Sequence, residues 1–313
     1  MRFFEAFYHV SKNFGLPAAW SLIAGPRIGN RIPGINISYA KRLRDYLRKD
    51  LKDIILKYKS EPLIPGNRSV DDEKRIFSLW WQGSDNMPKV VTDCRKSLAR
   101  NSGNCKLIAL DRHNISQYID IPDYIYKKLE KSEISITQIS DLIRVMLLAE
   151  YGGVWIDACI YVLSPIDFNY SLESPRIRQN NSNCMGKWII GVLSAPRGHK
   201  LMRFMSESLM RYWQRHKIAV DYLMMDSFMM IAYEEFSDIR AEIDRFKISS
   251  PDIHEARYLF DKPVDYNIFN ALISNNQFLS LTWRIEYPDE IEGKKTYYGA
   301  LKDKLGSSDH ACE

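Results

Sequence analysis

Apolar residues in this chain recur with two periods. Over residues 38–59, Tyr39, Leu43, Tyr46, Leu47, Leu51, Ile54, Ile55 and Tyr58 follow at spacings of three and four. That is the stripe of an amphipathic helix, and Lys and Arg fill its other face. Residues 60–72 break the pattern with two prolines, a glycine and polar side chains, and read as a linker. Beyond them, short apolar runs alternate with helical stripes. Residues 75–81 (RIFSLWW) predict a first buried strand, 88–101 a helix with proline in its first turn, and 105–110 a second strand closed by Asp111. Helices are expected near 115–119 and 122–131. The clearest stripe is 137–151, where Ile139, Leu142, Ile143, Met146 and Leu147 keep the helical period until Gly152-Gly153 stops it. Strands follow at 154–156, ending on Asp157, and at 160–163 and 188–193, then helices at 199–216 and 222–235. The alternation predicts an α/β fold with a sheet that is parallel in large part. A ligand of such a sheet sits beyond the carboxyl ends of its strands. Trp81-Gln82-Gly83, Asp111 and Asp157 all stand at such ends.

Composition narrows the classes. With 313 residues, 45% apolar and 27% charged, the chain can bury a sizeable core, which excludes a disordered or fibrous protein. The five cysteines (94, 105, 159, 184 and 312) include no C-x-x-C pair, so a zinc ribbon or redox motif is not expected. They read as reduced thiols of a cytoplasmic protein. No apolar run approaches the ~20 residues of a membrane span. The start is aromatic and charged rather than a smooth signal-peptide core, so the expectation is a soluble or peripheral protein.

Charge is unevenly placed. Residues 1–60 hold twelve Lys and Arg against four acids, or +8; the whole chain carries +5, so residues 61–313 sum to −3. Three readings of the basic helix compete: packing on the core with a solvated basic face, a helix lying on an anionic membrane surface, and nucleic-acid binding. No reader motif accompanies the last. The aromatic leader (Phe3, Phe4, Phe7, Tyr8, Phe14, Trp20) favours the membrane surface, because such rings settle at headgroup level.

Candidate chemistry concentrates in residues 140–165. Asp141 and Arg144 stand three apart on a helix, share a face and interrupt an otherwise apolar segment. They are either a structural ion pair or a polar pair aimed at a hydroxyl-rich ligand. Gly152-Gly153 lets backbone pass close to something. Asp157 closes an apolar strand, where an unpaired carboxylate would be costly as mere filler.

The pattern SD-x-x-R-x-x-L-L-x-x-Y-G-G-x-W-x-D-A resembles the DXD-type sugar transferases of glycosyltransferase family 32, and most of all its bacterial capsular polysaccharide synthesis proteins. Trp81-Gln82-Gly83 with Met87-Pro88, the stretch Tyr222–Asp226 and Leu281-Thr282-Trp283-Arg284 resemble further family elements in the expected order. The resemblance spans about residues 75–285. It implies a GT-A-like nucleotide-sugar-binding sheet flanked by helices over residues 71–313, preceded by the basic helical extension of 1–70. It implies transfer with retention of anomeric configuration from a nucleotide sugar, a UDP-sugar above others, to a glycan or lipid-linked oligosaccharide acceptor at the inner face of the cell membrane. The donor sugar would be held by Asp141 and Arg144. Trp155 and Asp157 match the aromatic residue and the first acid of the DXD motif, and Trp81, or else Trp80, the ring that stacks on the base. Asp226 would orient or deprotonate the acceptor. One departure stands out: the second acid of DXD is Cys159 here, and a thiol is a poor ligand for Mn²⁺ or Mg²⁺. Asp157 remains the expected metal ligand; the missing one comes from Asp167 or from the C-terminal part, or else Arg and Lys side chains neutralise the diphosphate without metal. No G-x-x-x-x-G-K-[ST] or G-x-G-x-x-G loop points to another nucleotide-dependent class. A membrane-surface scaffold and a catalytically inactive relative stay open as alternatives.

Overall fold

The structure, a computed structural model, describes residues 8, 11–12, 35–62, 73–167, 169, 171–178, 183–221 and 224–309. Most of the aromatic leader, most of the 60–72 linker, and Tyr222 and Leu223 lie outside the described residues.

The main sheet has the order β2-β1-β3-β5. Strands β1 (Arg75–Leu79), β2 (Lys106–Leu110) and β3 (Gly153–Ile156) are parallel, and β5 (Val192–Ala195) closes one edge antiparallel to β3. The expected α/β sheet is therefore present and rich in parallel pairs. The strand expected at 188–193 begins later, because residues 188–191 form a turn whose Gly191 carbonyl accepts the Asp157 N–H. β4 (Ile160–Val162) leaves the main sheet and pairs with β6 (Phe278–Ser280).

Side chains alternate along each strand, so each face of the sheet has its own core. Ile76, Val154, Ile156 and Val192 face one side with Leu98 of α3 (Lys89–Arg100). Phe77, Trp155 and Leu193 face the other, where α5 (Ile136–Tyr151), α6 (Lys200–Arg215) and α7 (Met224–Glu235) pack. Between β2 and α5 lies the short α4 (Asp123–Glu130). Ser135 caps α5 reciprocally with Gln138, so the helix begins at Ile136, one residue before the expected start. At its other end Gly152 and Gly153 adopt φ of 64° and 105°. A Cβ on Gly153 would lie 2.5 Å from the Arg75 carbonyl oxygen, so the close approach read from this glycine pair is to strand β1.

The basic extension forms α1 (Ile35–Asp50) and α2 (Lys52–Ser60). Its apolar stripe is buried: Leu43, Leu47, Leu51, Ile54, Ile55 and Tyr58 join the same core as Phe77 and Trp155. Removing the two helices would therefore uncover that core. This burial corrects the picture of a stripe free to enter lipid. Half of the basic residues are also paired with acids of the main domain, Arg44 and Arg48 in largely buried positions and Lys57 and Lys59 at the surface. Arg44 and Arg48 pair with Glu234, Arg48 and Lys59 with Glu235, and Lys57 with Glu207.

Candidate functional site

Asp157 follows the last residue of β3, at the carboxyl end of the parallel strands. Its Oδ1 accepts from Trp155 Nε1 at 2.6 Å and from Arg144 Nη2 at 2.6 Å. The Arg144 Nη1 donates to Asp141 Oδ1 at 3.0 Å and lies 3.2 Å from Met225 Sδ. Its guanidinium also lies 5.1 Å from the Trp155 ring centroid, a cation–π arrangement. Helix periodicity explains the first half of this geometry. Asp141 and Arg144 are one turn apart on α5, and Trp155 and Asp157 are two apart on one side of a strand directed at that helix.

Burial decides what the cluster can do. The Arg144 side chain is 3% exposed, Asp141 16% and Asp157 41%. Arg144 Nε is buried without a hydrogen-bond partner, so its guanidinium is fixed between the two acids and offers little to solvent. Burial pushes Asp141 up to about 7, against the pull of Arg144 and with help from Asp157 and Asp226. Asp226, in the first turn of α7, is pushed up to about 6 by burial, while a 2.7 Å hydrogen bond from Trp188 Nε1 and the Arg144 charge work the other way. One cation thus serves three acids, and the cluster has excess negative capacity that it partly relieves by holding protons. Asp157 Oδ2 takes no hydrogen bond from a described residue and is the oxygen left for a ligand. It faces Gly191, where an added Cβ would sit 2.8 Å from it.

The other expected residues distribute as follows. Trp81 lies just beyond β1, at the same end of the sheet, half-buried against the main core; its carbonyl accepts from the Arg112 N–H. Trp80 packs against a second core and meets the half-exposed Trp283 edge-on at 6.2 Å. Asp111 caps a turn, accepting from the backbone N–H groups of His113 and Asn114. Among the described residues neither tryptophan makes a hydrogen bond or ring contact with Asp141, Arg144 or Asp157.

A metal pair built on residues 157 and 159 does not fit. Burial pushes the Cys159 thiol up to about 11, so it stays protonated, and a thiol is soft. Asp167 cannot replace it. It lies near Cys105, just before β2 begins, at the end of the sheet opposite Asp157. Among the described residues no group of three or more His, Cys, Asp or Glu is placed to hold a metal. The donor chemistry fits only a hard cation held by Asp157 Oδ2 alone, with ligand oxygens and water completing its shell.

Sequence reasoning missed Trp188, which positions Asp226, Met225, which touches Arg144, and Gly191, which makes room for Asp157. Their signals are weak because each acts through tertiary contact.

A family model described as "Capsular polysaccharide synthesis protein" matches residues 32–301. A comparison with curated proteins returns no match. Among solved structures, the chain is similar to one titled "PaToxG Glycosyltransferase" at 15% identity and a TM-score of 0.43, over 65% of this chain and 82% of that one. Among the described residues no helix is long and apolar enough to cross a membrane.

Proposed function

This chain belongs to the capsular polysaccharide synthesis protein family, and on that premise we propose that it is a glycosyltransferase of GT-A type that moves a sugar from a nucleotide sugar, a UDP-sugar first among them, to a glycan hydroxyl. The observation that supports this most is the open Oδ2 of Asp157, held at the carboxyl ends of parallel strands by Arg144 and Trp155. A crevice at that position is where an α/β sheet binds its ligand.

In this reading Asp141, with its proton retained near neutrality, and Asp157 receive the hydroxyls of the donor sugar. The bond between the anomeric carbon and the β-phosphate oxygen breaks, and its electron pair stays on that oxygen. The acceptor hydroxyl oxygen forms the new bond to carbon, and its proton passes to a base. Asp226 suits that role, because a carboxylate raised to about 6 is a stronger base than an ordinary one and is still largely ionised above neutrality. A divalent cation on Asp157 Oδ2 would supply charge to the leaving diphosphate. The aromatic base platform falls to Trp81 or to the Trp80–Trp283 corner. The acceptor is proposed to be a lipid-linked or free oligosaccharide presented at an anionic membrane surface. The exposed cations Lys41, Arg42, Lys49 and Lys52 then make the contact without apolar insertion. Cosedimentation with anionic vesicles should therefore vanish at high salt, and equal absence at low salt would remove the membrane from the account.

The test of the transferase reading is a thermal-shift screen of nucleoside diphosphates and sugar nucleotides, with and without Mn²⁺. A rise in melting temperature with one nucleotide class, larger for its sugar conjugates, is expected. No rise with any of them would favour a scaffold or an inactive relative.

A further inference from the structure

We propose that the turn 183–188 sets Asp226 in place to receive the acceptor's proton: the Trp188 indole N–H fixes one carboxylate oxygen and leaves the other for the acceptor hydroxyl, and Asn183 ties the turn to the start of α7. Trp188 and Asn183 are on this account positioning residues. The proposal rests on the transferase reading above and adds the parts that hold its base.

The site contains one arrangement twice. Trp155 Nε1 donates to Asp157 Oδ1 at 2.6 Å, and Trp188 Nε1 donates to Asp226 Oδ1 at 2.7 Å. Among the described residues, neither acid receives a hydrogen bond at Oδ2. Both indoles are buried, while both acids keep part of their surface open. Arg144 stands between the two pairs, bonded to Asp157 but acting on Asp226 through charge alone. Asp226 thus relies on Trp188 for its side-chain hydrogen bond. Without that bond a carboxylate turns broadly about its last torsion. A base must stay within about 2.6–3.2 Å of the atom whose proton it takes. A buried indole, which is rigid and donates one N–H only, suppresses the turning without occupying the second oxygen.

The turn that carries Trp188 is itself fastened at both ends. At its start, Asn183 Nδ2 donates to Ser227 Oγ at 2.7 Å, one residue after Asp226, and Asn183 Oδ1 accepts from Arg44 Nη1 at 2.8 Å. Arg44 of α1 is buried and paired with Glu234, so it is a fixed anchor. Ser227 is fully buried as well. The Lys187 N–H closes the turn on the Cys184 carbonyl at 3.0 Å. At its end, the Trp188 ring packs 6.5 Å from the Tyr233 ring of α7. Three residues further on, the Gly191 carbonyl accepts the Asp157 N–H at 2.8 Å. Residues 183–191 therefore touch α7 at Asp226 and Ser227 and the end of β3 at Asp157. One short segment holds the acid assigned to the donor and the acid assigned to the acceptor at a fixed separation, and fixed geometry of this kind is what a two-substrate transfer needs.

The experiment reads the pH dependence of turnover on the full chain, as nucleoside diphosphate released from the sugar nucleotide that the thermal-shift screen selects, with water as acceptor. The Trp188 hydrogen bond and the Arg144 charge favour the ionised form of Asp226; burial and Asp221 oppose it, Asp141 faces it from α5, and Asp157 lies beyond Arg144. Trp188→Phe keeps a ring in place and removes the N–H, so the acid limb of the profile should move upward by about one pH unit, the scale of one charge-assisted hydrogen bond. Asn183→Ala should move it the same way by less. Trp213→Phe controls for packing: Trp213 is as deeply buried on α6, and its Nε1 has no partner among the described residues, so the limb should stay where it is whatever the loss of stability. An unmoved limb in folded Trp188→Phe would overturn the positioning role and leave the transferase reading intact. A second measurement needs no Trp188 variant. In nitrogen-15 spectra of tryptophan-labelled wild type, one indole N–H signal should titrate with a midpoint of about pH 6 and stay still in Asp226→Asn. If no indole signal does so, the proposal fails even where Trp188→Phe does not fold. Turnover of Asp226→Asn within a factor of about two of wild type would remove Asp226 as the base. If no sugar nucleotide is turned over at all, the transferase reading falls and the positioning role falls with it.

Discussion

The molecule sets arginine against carboxylate in two regions, and the two solve the same electrostatic problem differently. Where α1 and α2 meet α6 and α7, every acid has at least one cation of its own, and several of the pairs keep part of their surface in solvent. Arg44 and Arg48 share Glu234, Glu235 also takes Lys59, and Asp50 takes Arg215 and His216. Pairing there favours the charged forms. Burial raises Asp53, but Arg211 and backbone N–H groups together hold it below the ordinary carboxylate value, and Glu234 and Glu235 outweigh burial to raise Arg48. Around Asp157 one arginine serves three acids, and burial drives two of them upward. A balanced, wet belt is what docking requires. An unbalanced, half-closed cluster is held in place by the fold and completed by something else, which is why perturbed carboxylates in a crevice mark function more than ion pairs do.

Removing the first region should have the largest effect. Deleting residues 1–62 removes six buried apolar side chains, Leu43, Leu47, Leu51, Ile54, Ile55 and Tyr58, and uncovers the core they cover; at about 1.5–3 kcal/mol each when buried, the loss is as large as the roughly 5–15 kcal/mol by which a domain is typically stable. The truncated chain is expected to be unfolded by circular dichroism. A cooperative melt within a few degrees of the full chain would show that the extension is an appendage after all.

Arg144→Ala comes next. It leaves Asp141 and Asp157 facing each other without their cation, and breaking a buried ion network from one side costs about 3–5 kcal/mol. Chemical denaturation should show a loss of that size together with loss of turnover. A stable but inactive protein would mean that the acids relax to neutral forms more easily than their burial suggests.

Asp141→Asn probes the excess charge itself. The folded-state pKa is about 7, above the unfolded value, so the native state binds more protons between about pH 4 and 7. Stability from this group is complete below about pH 4 and is lost as pH rises through 7. Wild-type melting temperature should therefore fall between pH 5 and 8. The Asn variant should lose part of that fall, with the remainder due to Asp226. Parallel curves for the two proteins would contradict the raised carboxylate.

Arg48→Gln should have the smallest effect. Its partners are partly exposed and Arg44 still serves Glu234, so the cost is about 1 kcal/mol or less and should shrink with salt. Turnover should be unchanged, and a large loss of activity would erase the distinction between the regions.

The sequence shows these regions unequally. α5 is plain from its apolar period and its Gly-Gly stop, and the two charges that break the stripe are conspicuous for that reason. Trp155 and Asp157 follow within one short strand, so half of the cluster is encoded within about 17 consecutive residues, 141–157. The rest depends on long-range contact. Trp188 reaches Asp226 across 38 positions and Arg48 reaches Glu234 across 186. A helical period reveals that a basic face exists but not that acids far along the chain neutralise it, and so the membrane surface looked more attractive from sequence than the packed helices make it. The antiparallel β5 and the departure of β4 to pair with β6 were likewise hidden, because an apolar run carries no sign of strand direction or partner.

The central claim is that Asp157 meets the donor. The most direct test is release of nucleoside diphosphate from the sugar nucleotide selected by the thermal-shift screen, measured for wild type and Asp157→Asn per folded molecule. Because Asp157 also holds Arg144, the Asn variant should lose about 1–3 kcal/mol of stability, so both proteins are assayed at a temperature where each is folded. The account predicts turnover reduced by about a hundredfold or more, in line with losing a group that acts in the transition state. Turnover within a factor of about two of wild type, with the variant folded, would contradict it, since a loss that small is under 0.5 kcal/mol of transition-state stabilisation.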